Sequence, residues 1–76
     1  MENYGNTFRM LRKSKGFTMK EVAGGIVSTH FLSDFERGKS DISLANFIKL
    51  LSRINLSFEE ISHAHESDSF AEVEIF

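Results

Sequence analysis

The 76-residue chain contains neither cysteine nor proline. Without cysteine it can form no disulfide bond and no thiolate metal site, and nothing in its composition indicates secretion. No apolar run approaches the roughly 18 residues that cross a membrane, and the N-terminus lacks the apolar core of a signal peptide. The absence of proline leaves every helical pattern uninterrupted. We therefore expect a soluble, cytoplasmic protein.

The chain also lacks the residue arrangements on which enzymes depend. It has no nucleophile paired with a base and no pair of catalytic carboxylates, and Gly24-Gly25 is too short for a phosphate-binding loop. His63, His65 and Glu66 have no further ligand cluster, and histidines two positions apart on a helix point in different directions. The sequence therefore predicts no enzyme, no metal site and no cofactor.

Four stretches carry the same signal for the start of a helix. An apolar residue precedes a Ser or Thr, and a second apolar residue follows five positions after the first, which is typical of a capped helix with a hydrophobic staple. Each cap contributes roughly 1 kcal/mol. The caps and their apolar pairs are Thr18 with Phe17 and Val22, Ser28 with Val27 and Leu32, Ser43 with Ile42 and Phe47, and Ser57 with Leu56 and Ile61. Glu21 and Glu60 complete capping boxes at the first and last of these caps.

A further helix at the start of the chain brings the total to five. Apolar residues at helical spacing predict it over residues 6–15, with Asn6 or Thr7 as its cap and Gly16 as its end. The fourth helix is expected over residues 44–54, with Asn55 in the left-handed conformation after it. Its predicted buried stripe consists of Leu44, Phe47, Ile48, Leu51 and Ile54, and the fifth helix is expected to bury Phe58 and Ile61. The sequence thus predicts one all-α domain of five helices.

The second and third of these helices lie close together in the chain. Both fall between Thr18 and Gly38, and the glycine pair 24–25 is suited to end the first of them in a tight turn. Two short helices with so short a link are typical of a helix-turn-helix, which places its second helix in the major groove of DNA.

The distribution of charge supports this interpretation better than the net charge of −2 does. Residues 9–39 contain seven Lys and Arg against three Asp and Glu, whereas residues 40–76 contain two against seven. Such asymmetry indicates a basic contact face and an acidic opposite side. The alternative is a solvated surface whose charge is merely uneven.

The end of the chain carries a weaker signal than the rest. We expect the domain to occupy residues 1–66 and residues 67–76 to form a linker or tail toward a C-terminal domain. Ser67-Asp68-Ser69 is typical of a linker, and residues 70–76 alternate apolar and acidic side chains. This tail is a strand, the start of a further domain, or a disordered end. Phe70 and Phe76, if exposed, would form a patch suited to dimerisation or docking.

Several motifs carry a resemblance to a known family. They are Leu11-Arg-Lys-Ser-Lys-Gly16, Thr18-x-x-Glu21-Val-Ala23 and Phe35-Glu-Arg-Gly-Lys39, continued by Asp41-Ile-Ser-Leu44 and Asn55-Leu-Ser-Phe-Glu-Glu-Ile61. Over residues 6–62 the chain resembles the phage-repressor-type helix-turn-helix of Xre regulators, and more closely the N-terminal domain of Rgg/MutR-type regulators. The resemblance implies a five-helix lambda-repressor-like domain that binds double-stranded DNA as a homodimer. It also implies a C-terminal peptide-sensing domain that this chain does not contain.

The family pattern implies a role for individual residues. The residues expected to face base edges from the third helix are Thr29, His30, Phe31 and Asp34. The residues expected to meet phosphates are Thr18, Lys20, Ser28, Arg37, Lys39 and Ser40. Arg9 and Lys13 are expected to meet phosphates for a separate reason, their position one turn apart on one face of the first helix. Arg12 and Glu36 resemble the family's internal ion pair, so Arg12 is assigned a structural role in preference to a DNA contact.

Some of these positions depart from the family pattern or admit a second interpretation. Met19 stands where the family often has Gln, and Asp34 where it often has Arg or Gln. Asp34 can accept from a cytosine amino group but repels phosphates. Phe31 either contacts thymine methyl groups or belongs to the core or a dimer contact, and His30 is either a base or phosphate donor or an exposed polar residue. A protein-interaction module of the same fold, similar to an antitoxin or antirepressor, is the alternative function.

Overall fold

A computed structural model describes the backbone of residues 4–73 and the side chains of residues 4–66. These residues form five α-helices: α1 Gly5–Ser14, α2 Met19–Ala23, α3 Thr29–Glu36, α4 Leu44–Arg53 and α5 Phe58–Val73. No strand occurs among residues 4–73. The helix α1 packs against α3 and α5, and α2 packs against α3 and α4. The prediction of an all-α domain with five helices is confirmed.

The four predicted caps all hold the start of a helix. In the capping box of α2, the Glu21 N–H donates to Thr18 Oγ1 at 3.1 Å, and the Thr18 N–H donates to Glu21 Oε1 at 2.8 Å. The other hydroxyl oxygens, those of Ser28, Ser43 and Ser57, accept from the third residue after each cap at 3.0–3.1 Å. The Ser57 N–H also donates to Glu60 Oε1 at 2.9 Å, which completes the second capping box.

The two capping boxes make stability depend on pH. The backbone N–H of Thr18, followed by its hydroxyl, holds the pKa of Glu21 below its ordinary value of 4.5. The backbone N–H and hydroxyl of Ser57 lower the pKa of Glu60 in the same way, with help from the charge of Lys15. A pKa depressed by folding stabilises the native state above the unfolded value, and this contribution is lost as pH falls through the folded value.

We therefore expect the melting temperature to fall as the pH is lowered below about 4.5, the range in which both capping carboxylates take up protons. Thermal unfolding followed by circular dichroism across this range measures the effect. The double variant Glu21→Gln, Glu60→Gln should show a shallower acid dependence. The matched control Glu59→Gln removes a carboxylate from the same turn of α5 without touching a cap. Equal slopes for the double variant and the control would contradict the prediction.

The start of α1 differs from the prediction. The helix begins at Gly5 after Tyr4, whose side chain makes no capping hydrogen bond, so neither Asn6 nor Thr7 is the cap. Glycine is needed at this first helical position because the Gly5 Cα lies against the backbone of α3 and leaves no space for a side chain. A Cβ built there would lie 1.9 Å from the Phe35 carbonyl oxygen. This close approach brings the start of α1 against the end of α3.

Left-handed residues close the later helices. Gly25, two residues after the end of α2, has φ +79° in the tight turn there, and Asn55 has φ +56° after α4 as predicted. Asparagine tolerates this conformation better than other residues with a side chain because its short amide bonds locally to the backbone.

Three phenylalanines from three helices meet at the centre of the core. The ring centroids of Phe8 and Phe35 lie 6.3 Å apart, those of Phe8 and Phe47 6.3 Å, and those of Phe35 and Phe47 5.8 Å. These are tilted or edge-on arrangements of the kind aromatic rings prefer. The remaining buried apolar side chains are Val22, Ala23, Leu32, Ile42, Leu50, Leu51, Ile54, Leu56 and Ile61.

The predicted buried stripe of α4 is wrong at two positions. Leu44 and Ile48 are more than half exposed, whereas Leu50 is fully buried. The core-facing stripe is centred on Phe47 and Ile54, so Leu50 lies on one side of it and Leu44 and Ile48 lie beyond its other edge. Phe58, predicted to be buried, is also about half exposed.

The helix α5 is longer than predicted. Its backbone continues through residues 67–69, for which a linker was predicted, and ends at Val73. The alternative of a strand is therefore wrong for residues 70–73, whereas the role of residues 67–76 as a linker or tail stays a prediction. The predictions for the side chains of Phe70 and Phe76 lie outside the described side chains, and residues 74–76 lie outside the described backbone.

Candidate nucleic-acid interface

The helices α2 and α3 are joined by a compact link of five residues, 24–28. The N–H groups of Ile26 and Val27 both donate to the Ala23 carbonyl oxygen, at 2.8 and 3.1 Å. Their side chains pack against the core as partly buried apolar groups. The link therefore holds α3 in a set orientation to α2, and α3 is anchored by the buried Leu32 and Phe35.

Arg12 and Glu36 form a buried ion pair between α1 and the end of α3. The Arg12 Nε–H donates to Glu36 Oε2 at 2.7 Å, and its NH2 group donates to Glu36 Oε1 at 2.9 Å. The third nitrogen donates to the Phe17 carbonyl oxygen at 2.8 Å. The two residues are only 5% and 3% exposed. The structure thus buries Arg12 in the domain, where Glu36 and the Phe17 carbonyl oxygen occupy all three of its nitrogens.

The exposed side of α3 carries the first two residues predicted to face bases. Thr29 and His30 are exposed, whereas Phe31 is partly buried and packs against the core. The Asp34 carboxylate contacts two nearby side chains of the same chain segment. It lies 3.5 Å from His30 Nε2 and accepts from Arg37 NH2 at 3.1 Å. Two of the four predicted base-facing side chains, Thr29 and His30, are therefore not packed into the core. His30 contacts the Asp34 carboxylate, and Thr29 does not.

Two of the three predicted hydroxyl contacts lie at the starts of α2 and α3. Thr18 and Ser28 are both exposed, and their oxygens already accept from the capped N–H groups. The N-terminus of a helix carries partial positive charge, which attracts phosphate oxygens. Lys20 and Lys39 are exposed, and Ser40 is partly buried.

Cations from separate parts of the chain meet in two neighbouring clefts. The first cleft, of about 310 Å³, lies between α1 and α3 and is lined by Arg9, Arg12, Lys13, Met19, Ser33, Glu36 and Arg37. The second, of about 340 Å³, follows α3 and is lined by Gly5, Phe35, Arg37, Gly38, Lys39, Ser40 and Asp41. Arg37 lines both. The structure thus brings Arg9 and Lys13 beside Arg37, and Lys39 and Ser40 to its other side.

A family model for the helix-turn-helix matches residues 8–61, well over half of the chain. The chain belongs to the helix-turn-helix family. Its turn lies at residues 24–28 between α2 and α3, and this agrees with the resemblance to Xre-type regulators seen in the sequence. The family match supports a DNA-binding regulator of transcription.

Two solved structures resemble this helix-turn-helix domain. One is the SHP pheromone receptor Rgg2 of Streptococcus dysgalactiae, with 33% identity, a TM-score of 0.77, and coverage of 80% of this chain and 23% of that one. The other is a candidate transcriptional regulator from Listeria monocytogenes EGD-e, with 38% identity, a TM-score of 0.82, and coverage of 86% and 22%. The chain therefore spans less than a quarter of the length of either protein.

Two contacts between distant parts of the domain, one from α4 to α2 and one from α5 to the start of α1, were not predicted. Arg53 on α4 donates through NH1 to the Glu21 carbonyl oxygen at 2.9 Å, next to the end of α2. His65 on α5 stacks on Tyr4, with ring centroids 4.3 Å apart, and its Nδ1 lies 3.1 Å from Thr7 Oγ1. The only signal for Arg53 was its place as one of two cations in an acidic half of the chain.

Within the described residues, no group of three His, Asp or Glu side chains is arranged to hold a metal ion. Among the five helices, none is both long and apolar enough to cross a membrane.

Proposed function

We propose that the chain binds DNA in a sequence-specific manner and regulates transcription, with α3 in the major groove. The observation that carries this proposal is the combination of an exposed α3 N-terminus with two cationic clefts that share Arg37. A helix that reads bases needs exposed polar side chains near its start and phosphate contacts around it. Such a regulator acts where the chromosome lies, so we place it in the cytoplasm.

Within this proposal Thr29 and His30 face the base edges. Both are exposed in the first turn of α3, where the recognition helix of this motif contacts bases. Phe31 is partly buried and contributes at most the edge of its ring, for instance to a thymine methyl group. Asp34 lies one turn further along the same helix.

The phosphate contacts in this proposal come from both sides of α3. The candidates are Thr18, Lys20 and Ser28 at the helix starts, Arg9 and Lys13 in the first cleft, and Arg37, Lys39 and Ser40 in the second. Such contacts set the register of the protein on the duplex and do not read its sequence.

We expect Thr29→Ala and Lys39→Ala to affect DNA binding in different ways. A duplex selected from a random pool by the unmodified protein serves as the probe, and band-shift titration measures affinity. Thr29→Ala should cost about 1–3 kcal/mol on the selected duplex and relax its sequence preference at one position. Lys39→Ala should weaken binding to all duplexes alike and reduce the salt slope by about 1.

The matched control for the second variant is Lys15→Ala, which removes an exposed lysine from the end of α1 outside both clefts. Its affinity should equal that of the unmodified protein. If Thr29→Ala and Lys39→Ala also leave binding unchanged, α3 is not the reading helix and the proposed interface is wrong.

We further propose that two chains bind together, one on each of two half-sites about one helical turn apart. The support is an exposed apolar surface formed by Leu44, Ile48 and Phe58 on α4 and α5, which borders a groove lined by Leu51 and Leu56. Apolar side chains grouped at the surface are suited to a protein contact.

The variant Ile48→Asp tests this dimer because it places a charge within the apolar surface. We expect the complex with a two-half-site duplex to hold two unmodified chains but a single variant chain, as measured by sedimentation. Asn6→Asp is the control, since it adds the same charge to an exposed position of α1. Two variant chains bound with unchanged cooperativity would contradict this use of the surface.

The same apolar surface favours the second candidate function, a protein-interaction module that does not read DNA. Binding driven by Leu44, Ile48 and Phe58 would respond little to salt, whereas binding to phosphates weakens steeply as salt rises. The salt dependence of binding therefore separates the two functions.

We also propose that the domain, residues 1–66, works beside a signal-sensing domain that follows residues 67–76. The support is that both solved relatives are more than four times as long as the matched region, and one of them is a pheromone receptor. Limited proteolysis of the natural protein should then release a DNA-binding fragment that ends beyond residue 66. Cleavage only within residues 1–66 would contradict this boundary.

A further inference from the structure

One carboxylate on α3, that of Asp34, contacts both the imidazole of His30 and the guanidinium of Arg37. Asp34 Oδ2 lies 3.5 Å from His30 Nε2, one turn earlier, and Asp34 Oδ1 accepts from Arg37 NH2 at 3.1 Å. Each partner therefore has a carboxylate oxygen of its own. The spacings i,i+4 and i,i+3 are those at which side chains on one helix face meet.

We propose that Asp34 is a positioning residue for DNA recognition, which holds His30 and Arg37 in place and does not itself read a base. This inference rests on the proposed DNA-binding function. Burial supports it: the Asp34 side chain is 23% exposed, that of Arg37 54% and that of His30 86%. The carboxylate lies closest to the protein, and the two side chains it holds extend outward from it.

The place of Arg37 shows what this arrangement would achieve. Arg37 follows the last residue of α3 and lines both the cleft with Arg9 and Lys13 and the cleft with Lys39. An arginine loses much rotamer freedom when it is fixed at an interface, and a partner that fixes it beforehand reduces this loss on binding. Asp34 thus prepares Arg37 for a phosphate between the two clefts and holds His30 at the base-facing end.

The charge of Asp34 has a second consequence. A carboxylate beside DNA repels phosphates. This repulsion outweighs the gain from a pre-positioned Arg37, so Asp34 lowers affinity for every duplex while it fixes His30, the side chain that faces the bases. Removing its charge should therefore raise affinity for a random duplex and reduce the preference for the selected one. A direct contact to a cytosine amino group would instead produce a loss confined to one base pair.

The test compares Asp34→Asn with the unmodified protein by titration of the selected duplex, all its single-base-pair variants, and a random duplex. We expect Asp34→Asn to bind the random duplex more tightly and to lose about two- to fivefold in discrimination, the factor that corresponds to exposed ion pairs. The same substitution made in a His30→Ala, Arg37→Ala background should leave discrimination unchanged, because nothing remains for Asp34 to position. The control Glu59→Gln removes one negative charge from α5 and should alter neither quantity.

A readout without DNA accompanies the titrations. In the free protein, Asp34→Asn should shift the NMR signals of the His30 ring and the Arg37 guanidinium while the melting temperature stays close to that of Glu59→Gln. A loss confined to one base pair and equal in both backgrounds would overturn the proposal in favour of direct reading. Unchanged discrimination, or unchanged His30 and Arg37 signals, would also overturn it. An unmodified protein that prefers no sequence would instead refute the proposed function itself.

Discussion

Replacing Glu36 with alanine is expected to lower the free energy of unfolding by about 3–5 kcal/mol, because it leaves Arg12 charged and buried without its partner. Arg12 is 5% exposed, and its two hydrogen bonds to the Glu36 carboxylate span 2.7 and 2.9 Å. A domain of this size has a total stability of about 4–11 kcal/mol. The single change therefore removes a large share of it, and urea denaturation followed by circular dichroism measures the loss.

Two control variants isolate the uncompensated charge as the cause. Lys13→Ala removes an exposed cation one position from Arg12 and should change stability by less than about 0.5 kcal/mol. The double variant Arg12→Met, Glu36→Leu replaces both charges by apolar groups and should recover much of the loss, since buried pairs are often replaceable in this way. A double variant as unstable as Glu36→Ala would show that the pair stabilises the domain through its shape or its bond to Phe17 and not through charge balance.

Replacing Gly5 with alanine is expected to destabilise the domain by about 1–3 kcal/mol, the usual cost of inserting an atom where there is no space. The added Cβ would meet the Phe35 carbonyl oxygen at 1.9 Å and the carbonyl carbon at 2.8 Å. Both are backbone atoms, which cannot rotate away as a side chain could. The start of α1 must therefore move away from α3, and denaturant unfolding measures the cost.

Gly24→Ala is the matched control for this prediction. Gly24 has φ −50°, and the nearest atom to a Cβ there is the Lys20 carbonyl oxygen at 3.5 Å, an ordinary contact. Alanine at this position should be neutral or stabilise by up to about 1 kcal/mol, because it restricts the unfolded chain. If Gly5→Ala were as stable as Gly24→Ala, α1 would not lie against the Phe35 backbone.

The helix starts could be predicted from the sequence because their signals are local. A cap, its hydrogen-bond partner and its apolar pair lie within six residues, and all four caps are present. The buried face of α4 could not be predicted in this way, because the apolar residues of this helix extend beyond the stripe that is buried. Packing against Phe8 and Phe35 selects the stripe with Leu50 and leaves Leu44 exposed. The length of α5 was missed because Ser and Asp at residues 67–69 compete for backbone hydrogen bonds and favour turns.

The candidate site was predictable in its composition more than in its arrangement. The positions of the cations followed from the sequence, but the two clefts and their shared Arg37 depend on the approach of α1 to α3. The contact of Arg53 with the end of α2 joins residues 32 positions apart, and no sequence spacing announces it. The grouping of His30, Asp34 and Arg37 does follow a helical spacing, but the spacing alone does not show whether Asp34 contacts its neighbours or DNA.

We propose above that the chain reads DNA through α3 while cations on either side hold the phosphates. The most direct measurement is the affinity for the selected duplex and for a scrambled duplex across a range of salt concentrations. If Arg9, Lys13, Lys20, Arg37 and Lys39 each neutralise one phosphate, the logarithm of the binding constant should fall with a slope of about −4.5 per chain. The selected duplex should bind at least about a thousandfold more tightly than the scrambled one. Equal affinity for both duplexes, or binding that does not respond to salt, would contradict the account.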